Sequence, residues 1–236
     1  MDADLVLINP AIPLEIFLPP WDFSHVHFVG NKDQNGLNTG TFFLHIHAWS
    51  VSALTKAMAF PMYRPDVDLG VSSDQRAMAY VFNESAFAGG VLYQPRVWYN
   101  TYEWRHAYEG TRGNLLVHFP GLDDERWPHM DKWLDVVERQ PRAWEMPLER
   151  TFYPNETSAY WAALREARQT LAEAERLGAD REWQVSEWIR EGIDRLRAVL
   201  TYETDNVETV REATTALQLF LDKQAPTATD EEHRPP

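Results

Sequence analysis

Two styles of sequence share this chain, and no single uniform layer of secondary structure accommodates both. Up to about residue 137 Pro, Gly and Asn recur between short apolar runs, whereas residues 157–221 are rich in Ala, Glu, Arg and Leu with little Gly or Pro. Short apolar runs bounded by turn formers read as strands, and long uninterrupted stretches with apolar residues three or four apart read as helices. In the later part Val185, Ile189, Leu196 and Leu200 share one helical face, and Val207, Val210, Leu217 and Leu221 share another. Breaks at Gly178 and at 201–206 divide it into about three helices. Nothing chemical stands out there, so a packing or assembly role is expected. Residues 223–236 are short of apolar side chains and hold three Pro, the composition of a disordered tail.

The earlier part reads as strands at 5–8, 25–29, 41–46, 91–93 and 115–119. Between them, a helix of roughly ten residues opens at Trp49-Ser50 with Ser50 as its N-cap, and a second covers 74–82. Residues 31–38 and 61–73 read as loops, and 127–137 as a helix that packs back on the core. The alternation predicts an α/β core ending near residue 122.

Charge and composition exclude several functions. Lys and Arg number 22 against 36 Asp and Glu, a net charge of −14, so there is no basic stripe to neutralise a nucleic-acid backbone. An acidic protein that binds a nucleotide diphosphate needs a cation or a very local positive patch to do so. Cysteine is absent, which removes disulfides, thiolate metal sites and a cysteine nucleophile. No apolar run approaches the roughly 18 residues of a membrane span, and Met1-Asp2-Ala3-Asp4 is neither a signal peptide nor a basic anchor.

The chemistry-bearing candidates are few. Asp2 and Asp4 stand two apart before an apolar run, so in an extended segment both carboxylates point the same way and can share one hard cation. His118 lies in the apolar strand Leu-Leu-Val-His-Phe, where an imidazole must find polar partners or a metal. One His and two Asp make a sensible mixed nitrogen and oxygen site for Mn2+, while a solvated acidic terminus and a satisfied core histidine are the plain alternatives. Asn35-Gly36-Leu37-Asn38-Thr39-Gly40 offers backbone amides and the Asn38 amide to a sugar or phosphate, or is simply a turn. Asp74-Gln75 at a helix start can meet sugar hydroxyls or serve the first turn. The aromatic and amide-rich stretch from Tyr93 to Tyr102 suits a carbohydrate surface or irregular packing. His129 and the pair His25 and His27 show no ligand spacing and read as structural.

Taken in order, Asp2-Ala3-Asp4, Asn35-Gly36-Leu37-Asn38-Thr39-Gly40, Trp49-Ser50, Ser73-Asp74-Gln75, Tyr93-Gln94-Pro95-Arg96, Tyr99-Asn100-Thr101-Tyr102 and Leu116-Val117-His118-Phe119-Pro120-Gly121 resemble glycosyltransferase family 34. That family holds the galactosyl and mannosyl transferases of the fungal Golgi and is related to plant xyloglucan xylosyltransferases. The resemblance covers residues 1–137 and implies the C-terminal part of a GT-A, Rossmann-like α/β catalytic domain starting at the Asp-x-Asp motif. A helical region at 138–222 and the tail at 223–236 follow it. The implied reaction is transfer of galactose or mannose, with retention, from UDP-galactose or GDP-mannose to a glycan acceptor. By the same resemblance Asp2, Asp4 and His118 hold Mn2+, Asp2, Asn38 and Gly40 lie at the donor, and Asp74 and Gln75 lie at the transferred sugar. Plant members carry a basic residue shortly after the histidine block, where this chain has Leu122-Asp123-Asp124.

Full-length relatives are type II Golgi membrane proteins with an anchor, a stem and base-binding strands ahead of the Asp-x-Asp. This chain shows none of that sequence, so Asp2 is expected to fray and the chain as written to have no appreciable transferase activity. A non-catalytic homologue, acting as a partner subunit of a Golgi glycosyltransferase complex, is the competing expectation.

Overall fold

The computed structural model describes residues 2–179 and 187–224. The chain divides into two compact units, Met1–Ala159 and Tyr160–Pro236. In chain order the first unit runs through β1 (Leu5–Leu7), β2 (Phe28–Asp33), β3 (Gly36–Leu44), α1 (Ala48–Tyr63), α2 (Ser73–Phe82) and α3 (Ser85–Ala88). It continues with β4 (Val91–Tyr93), β5 (Leu116–His118), α4 (Arg126–Arg139) and α5 (Pro141–Trp144). The architecture is mixed α/β.

Two small sheets organise it. β1 pairs antiparallel with β5, Leu5 opposite His118. In the other sheet β2 lies between an antiparallel β3 and a parallel β4. The β2–β3 turn is set by two local devices: Gly36 sits at φ +99, in the left-handed region, and the Asp33 Oδ1 accepts from the Asn35 N–H at 2.7 Å. The ladder breaks between the pairs Val29–Phe43 and Asn31–Asn38, where β3 bulges.

Apolar faces close around these sheets. Phe28, Leu37, Val91 and Tyr93 pack with Ala53, Ala57 and Phe60 of α1 and with Ala77, Met78, Val81 and Phe82 of α2. Val6, Ile8, Val117 and Phe119 pack under Trp133 of α4, which meets Tyr108 and Trp144 edge-on at 5.0 and 4.8 Å. Residues beyond 137 also belong to this packing: the Asn9 Nδ2 donates to the Met146 carbonyl at 3.1 Å, and the Tyr153 hydroxyl accepts from the Leu115 N–H at 2.9 Å. That is why the compact boundary falls after Ala159.

Several sequence expectations need correction. The segment 31–38 is not a loop but most of β2, a tight turn and the start of β3, with Asn31 fully buried. α1 runs for 16 residues, with Pro61 in its last turn, where its missing N–H forfeits the bond to the Ala57 carbonyl and only Met62 and Tyr63 follow. Its N-cap is His47, whose Nδ1 accepts from the Trp49 N–H at 3.1 Å, while the Ser50 hydroxyl donates to the His45 carbonyl at 2.6 Å.

In the second unit, α6 (Tyr153–Ala179), which begins in the first, is followed by α7 (Glu187–Tyr202) and α8 (Val207–Gln224). Ile189, Ile193, Leu196 and Val199 of α7 are buried, as are Val210, Ala213, Leu217 and Leu221 of α8. A Cβ on Gly192 would come within 3.1 Å of Leu217 Cδ1, so the two helices approach closely there. Val185 lies outside the described residues, as does the expected tail apart from Lys223 and Gln224, which end α8. No helix among the described residues is long and apolar enough to cross a membrane.

Candidate metal centre

β5 is held from both sides. β1 flanks it on one side, and on the other the His118 N–H donates to the Thr101 carbonyl while the Glu103 N–H donates to the His118 carbonyl, both at 2.8 Å. The His118 side chain, only 3 % exposed, therefore leaves a rigid backbone. Asp4 precedes β1, and its carbonyl accepts from the Phe119 N–H at 3.1 Å. Two residues earlier the Asp2 N–H donates to the Gly40 carbonyl at 2.8 Å, so Asp2 is tied to β3 rather than frayed.

These backbone ties bring three side chains together. One ligand atom each from Asp2, Asp4 and His118 lies within 4.8 Å of the others. The His118 Nε2 is 3.4 Å from the Asp4 Oδ1 and 4.0 Å from the Asp2 Oδ2. Arg126 of α4 reaches back to the other Asp4 oxygen at 3.2 Å. Burial pushes the Asp4 carboxyl up, but the hydrogen bond and charge of His118, aided by Arg126, outweigh it and hold the group below its usual value. Asp4 is thus held in its ionised form.

The orientation of the imidazole follows from a chain of amides anchored on backbone. The Thr41 carbonyl, left unpaired by the β3 bulge, can only accept, so the Asn31 Nδ2 donates to it at 2.8 Å and the Asn31 Oδ1 faces Asn100. The Gly40 N–H can only donate, so the Asn38 Oδ1 accepts from it at 2.9 Å. Asn100 must then direct its Nδ2 at both oxygens, 2.7 Å from Asn31 and 2.8 Å from Asn38. Its own Oδ1 is left for the His118 Nδ1, 2.6 Å away, which must carry the hydrogen. In the neutral ring an Nδ1 that carries hydrogen leaves the Nε2 with a lone pair facing two carboxylates, and in the protonated ring the Nε2 hydrogen goes to Asp4. Two acids and a bare nitrogen lone pair repel one another unless a cation or a proton sits between them. A histidine that donates from one nitrogen to a fixed acceptor and ligates through the other is the common arrangement in metal sites. Oxygen-rich donors with one imidazole also suit Mn2+.

The network ends on a second set of groups. The Asn38 Nδ2 donates to the Asp33 Oδ2 at 3.0 Å and to the Tyr102 hydroxyl at 2.9 Å, and that hydroxyl donates in turn to Asp33 at 3.1 Å. Burial and the Asp33 carboxylate push the Tyr102 phenol up, so it stays a donor. The Tyr102 ring meets His118 edge-on at 5.3 Å, and the Arg96 guanidinium lies 3.9 Å over its face.

The other expected site residues divide. Asn38 and Gly40 belong to the centre, though by supporting His118 from behind: a Cβ on Gly40 would stand 2.6 Å from His118 Cε1. Gln75 is linked through Thr39, whose N–H donates to the Gln75 Oε1 at 3.0 Å. That bond turns the Gln75 NH2 away, with no hydrogen bond among the described residues. Asp74 is exposed in the first turn of α2 and is not brought to the triad by any contact. Sequence reading passed over Asn31, Asp33, Asn100 and Arg126. Asn100 stood in a quoted motif, but nothing local marked it as the partner of a histidine 18 residues on.

Gly40→Ala is expected to push the imidazole off its position and to lower Mn2+ affinity by about 10–100-fold, the range for a disturbed supporting group. Far-ultraviolet circular dichroism should be unchanged. Unaltered Mn2+ affinity would show that the ring does not depend on this contact.

No curated protein and no solved structure matches the chain. Residues 21–126, which hold Asn38, Gly40, Asp74, Gln75 and His118 but not Asp2 or Asp4, match the galactosyl transferase GMA12/MNN10 family, the family that the sequence blocks resemble.

Proposed function

We propose that the first unit is the catalytic part of a GT-A glycosyltransferase that moves galactose or mannose, with retention, from UDP-galactose or GDP-mannose to a glycan acceptor. The observation that carries this reading is the meeting of Asp2, Asp4 and the His118 Nε2 on one side of a network that fixes the histidine tautomer. Asp2, Asp4 and His118 hold Mn2+ in this scheme, and when bound it supplies positive charge against the negative charge that develops on a departing diphosphate. Arg126 adds a fixed cation beside Asp4. The Gln75 NH2 donates to a sugar hydroxyl, its direction set by Thr39, and Asp74 lies at the transferred sugar and favours positive charge developing there. Asn38, Asn100 and Gly40 keep the imidazole in its ligating tautomer and place. No side chain is assigned as a covalent nucleophile.

The test is calorimetric titration of the chain with UDP-galactose and with GDP-mannose, each with and without Mn2+, followed by turnover with a mannoside acceptor. Donor binding should require Mn2+ and should be lost in Asp4→Asn. Donor affinity indifferent to both Mn2+ and Asp4→Asn would contradict the reading, whatever the turnover.

A further inference from the structure

We propose that His27 and His45 form a second metal site, separate from the Asp2, Asp4 and His118 centre, which takes a divalent transition-metal ion of borderline softness such as Zn2+, Ni2+ or Cu2+. The first unit carries two His-x-His triplets, His25-Val26-His27 where the chain enters β2 and His45-Ile46-His47 where it leaves β3. The β2–β3 ladder makes them neighbours. Phe28 pairs with Leu44, and one step beyond it the His45 N–H donates to the His27 carbonyl at 2.8 Å. Residues two apart in an extended segment point to one face, so a hairpin with such triplets at its open end gathers imidazoles on that face.

The two facing rings approach through like atoms. The Nδ1 of His27 is 3.2 Å from the Nδ1 of His45. Two nitrogens each about 2.1 Å from a tetrahedral ion stand about 3.4 Å apart, so the observed spacing is close to what a shared ion requires. Without an ion, one ring must give its hydrogen to the other and the pair is a single N–H···N bond. His47 lies parallel to His27, with centroids 4.1 Å apart and planes 6° from coincidence, and its ring is 5.6 Å from that of His45. Its Nδ1 is taken by the Trp49 N–H, which leaves the Nε2 as the nearest further donor if the exposed side chain swings. Water completes the shell otherwise.

The ligand chemistry separates the two sites. Paired imidazoles select Zn2+, Ni2+ or Cu2+, whereas two carboxylates and one imidazole accept the harder Mn2+. An ion on His27 and His45 would clasp the open end of the β2–β3 hairpin at the point where the chain turns into α1. This inference does not depend on the sugar-transfer reading.

The experiment is Zn2+ titration by calorimetry on the 236-residue chain and on His45→Ala, His27→Ala and His118→Ala, with electron paramagnetic resonance of added Cu2+ as a direct view of the ligands. Removing one of two ligands should weaken a Zn2+ binding event by more than about tenfold in the His45→Ala and His27→Ala chains, since even supporting groups cost that much. The same event should survive in His118→Ala, and Mn2+ titration of His45→Ala should match wild type, which also shows that the chain is folded. Bound Cu2+ should show coupling to two nitrogens. Zn2+ affinity equal to wild type in both variants, or a Cu2+ spectrum without nitrogen coupling, would mean that the rings share a hydrogen bond only and would overturn the proposal.

Discussion

His118→Ala should lose Mn2+ almost entirely. Supporting groups alone are worth about 10–100-fold in metal affinity, so a direct ligand sets a fall beyond about 100-fold. Metal-dependent donor binding should go with it. The sequence left two meanings for this histidine, metal ligand or satisfied core residue, and geometry joins them: one nitrogen is satisfied by Asn100 and the other faces the acids. The variant should therefore also lose the buried Nδ1 bond, at a cost of about 1–3 kcal/mol in urea unfolding without metal. Added Mn2+ should stabilise wild type further and leave the variant unmoved, because only the native site gains binding free energy. If Mn2+ raises the melting temperature of both chains equally, the ion binds elsewhere.

Asn100→Ala should be the most costly change to a residue that is not itself a metal ligand. Asn100 is fully buried and makes three side-chain bonds, donating to Asn31 and Asn38 and accepting from His118. Truncation strands two buried polar groups, the Asn31 Oδ1 and the His118 Nδ1, each costing about 1–3 kcal/mol, while the Asn38 Oδ1 keeps the Gly40 N–H, so a loss of at least about 2 kcal/mol is expected from denaturant unfolding. It also frees the imidazole to place its hydrogen on the Nε2, which should weaken Mn2+ by about 10–100-fold. Asn100→Asp separates the two effects: it keeps an acceptor for the Nδ1 but removes both donated bonds, so it should lose stability while retaining more of the metal affinity than Asn100→Ala. Equal metal affinity in wild type and Asn100→Ala would remove the tautomer argument.

What could be read from sequence was whatever depended on near neighbours. The apolar run around His118 foretold β5, and the periodicity foretold the burial of Ile189 and Leu196 in α7 and of Val210, Leu217 and Leu221 in α8, though Leu200 and Val207 are only half-buried. Asp2 and Asp4 meet at one place, but through a bend at residues 3 and 4 rather than an extended segment. The polar segment 31–38 misled because Asn, Asp and Gly are also what a solvated turn contains. Here Asn31 and Asn38 are polar for the opposite reason, since they fill a bulge and carry hydrogen bonds through the interior to a residue more than 60 positions away. Arg126 escaped notice for the same cause. Where plant members carry a basic residue just after the histidine block this chain has Leu122-Asp123-Asp124, and the basic side chain that meets Asp4 is Arg126 of α4. Ser50 looked like a cap by residue type, yet the ring of His47 takes that task, a choice made by where the chain leaves β3 rather than by propensity. The pairing of His27 with His45 was likewise invisible until the register of β2 and β3 was known.

Pulsed electron paramagnetic resonance of Mn2+ bound to the chain can show whether His118 presents its Nε2 to an ion shared with Asp2 and Asp4. Modulation from one imidazole nitrogen coupled to Mn2+ is expected in wild type and in His45→Ala, and none in His118→Ala. Mn2+ bound in wild type through oxygen alone, with no nitrogen coupling, would rule His118 out as a ligand.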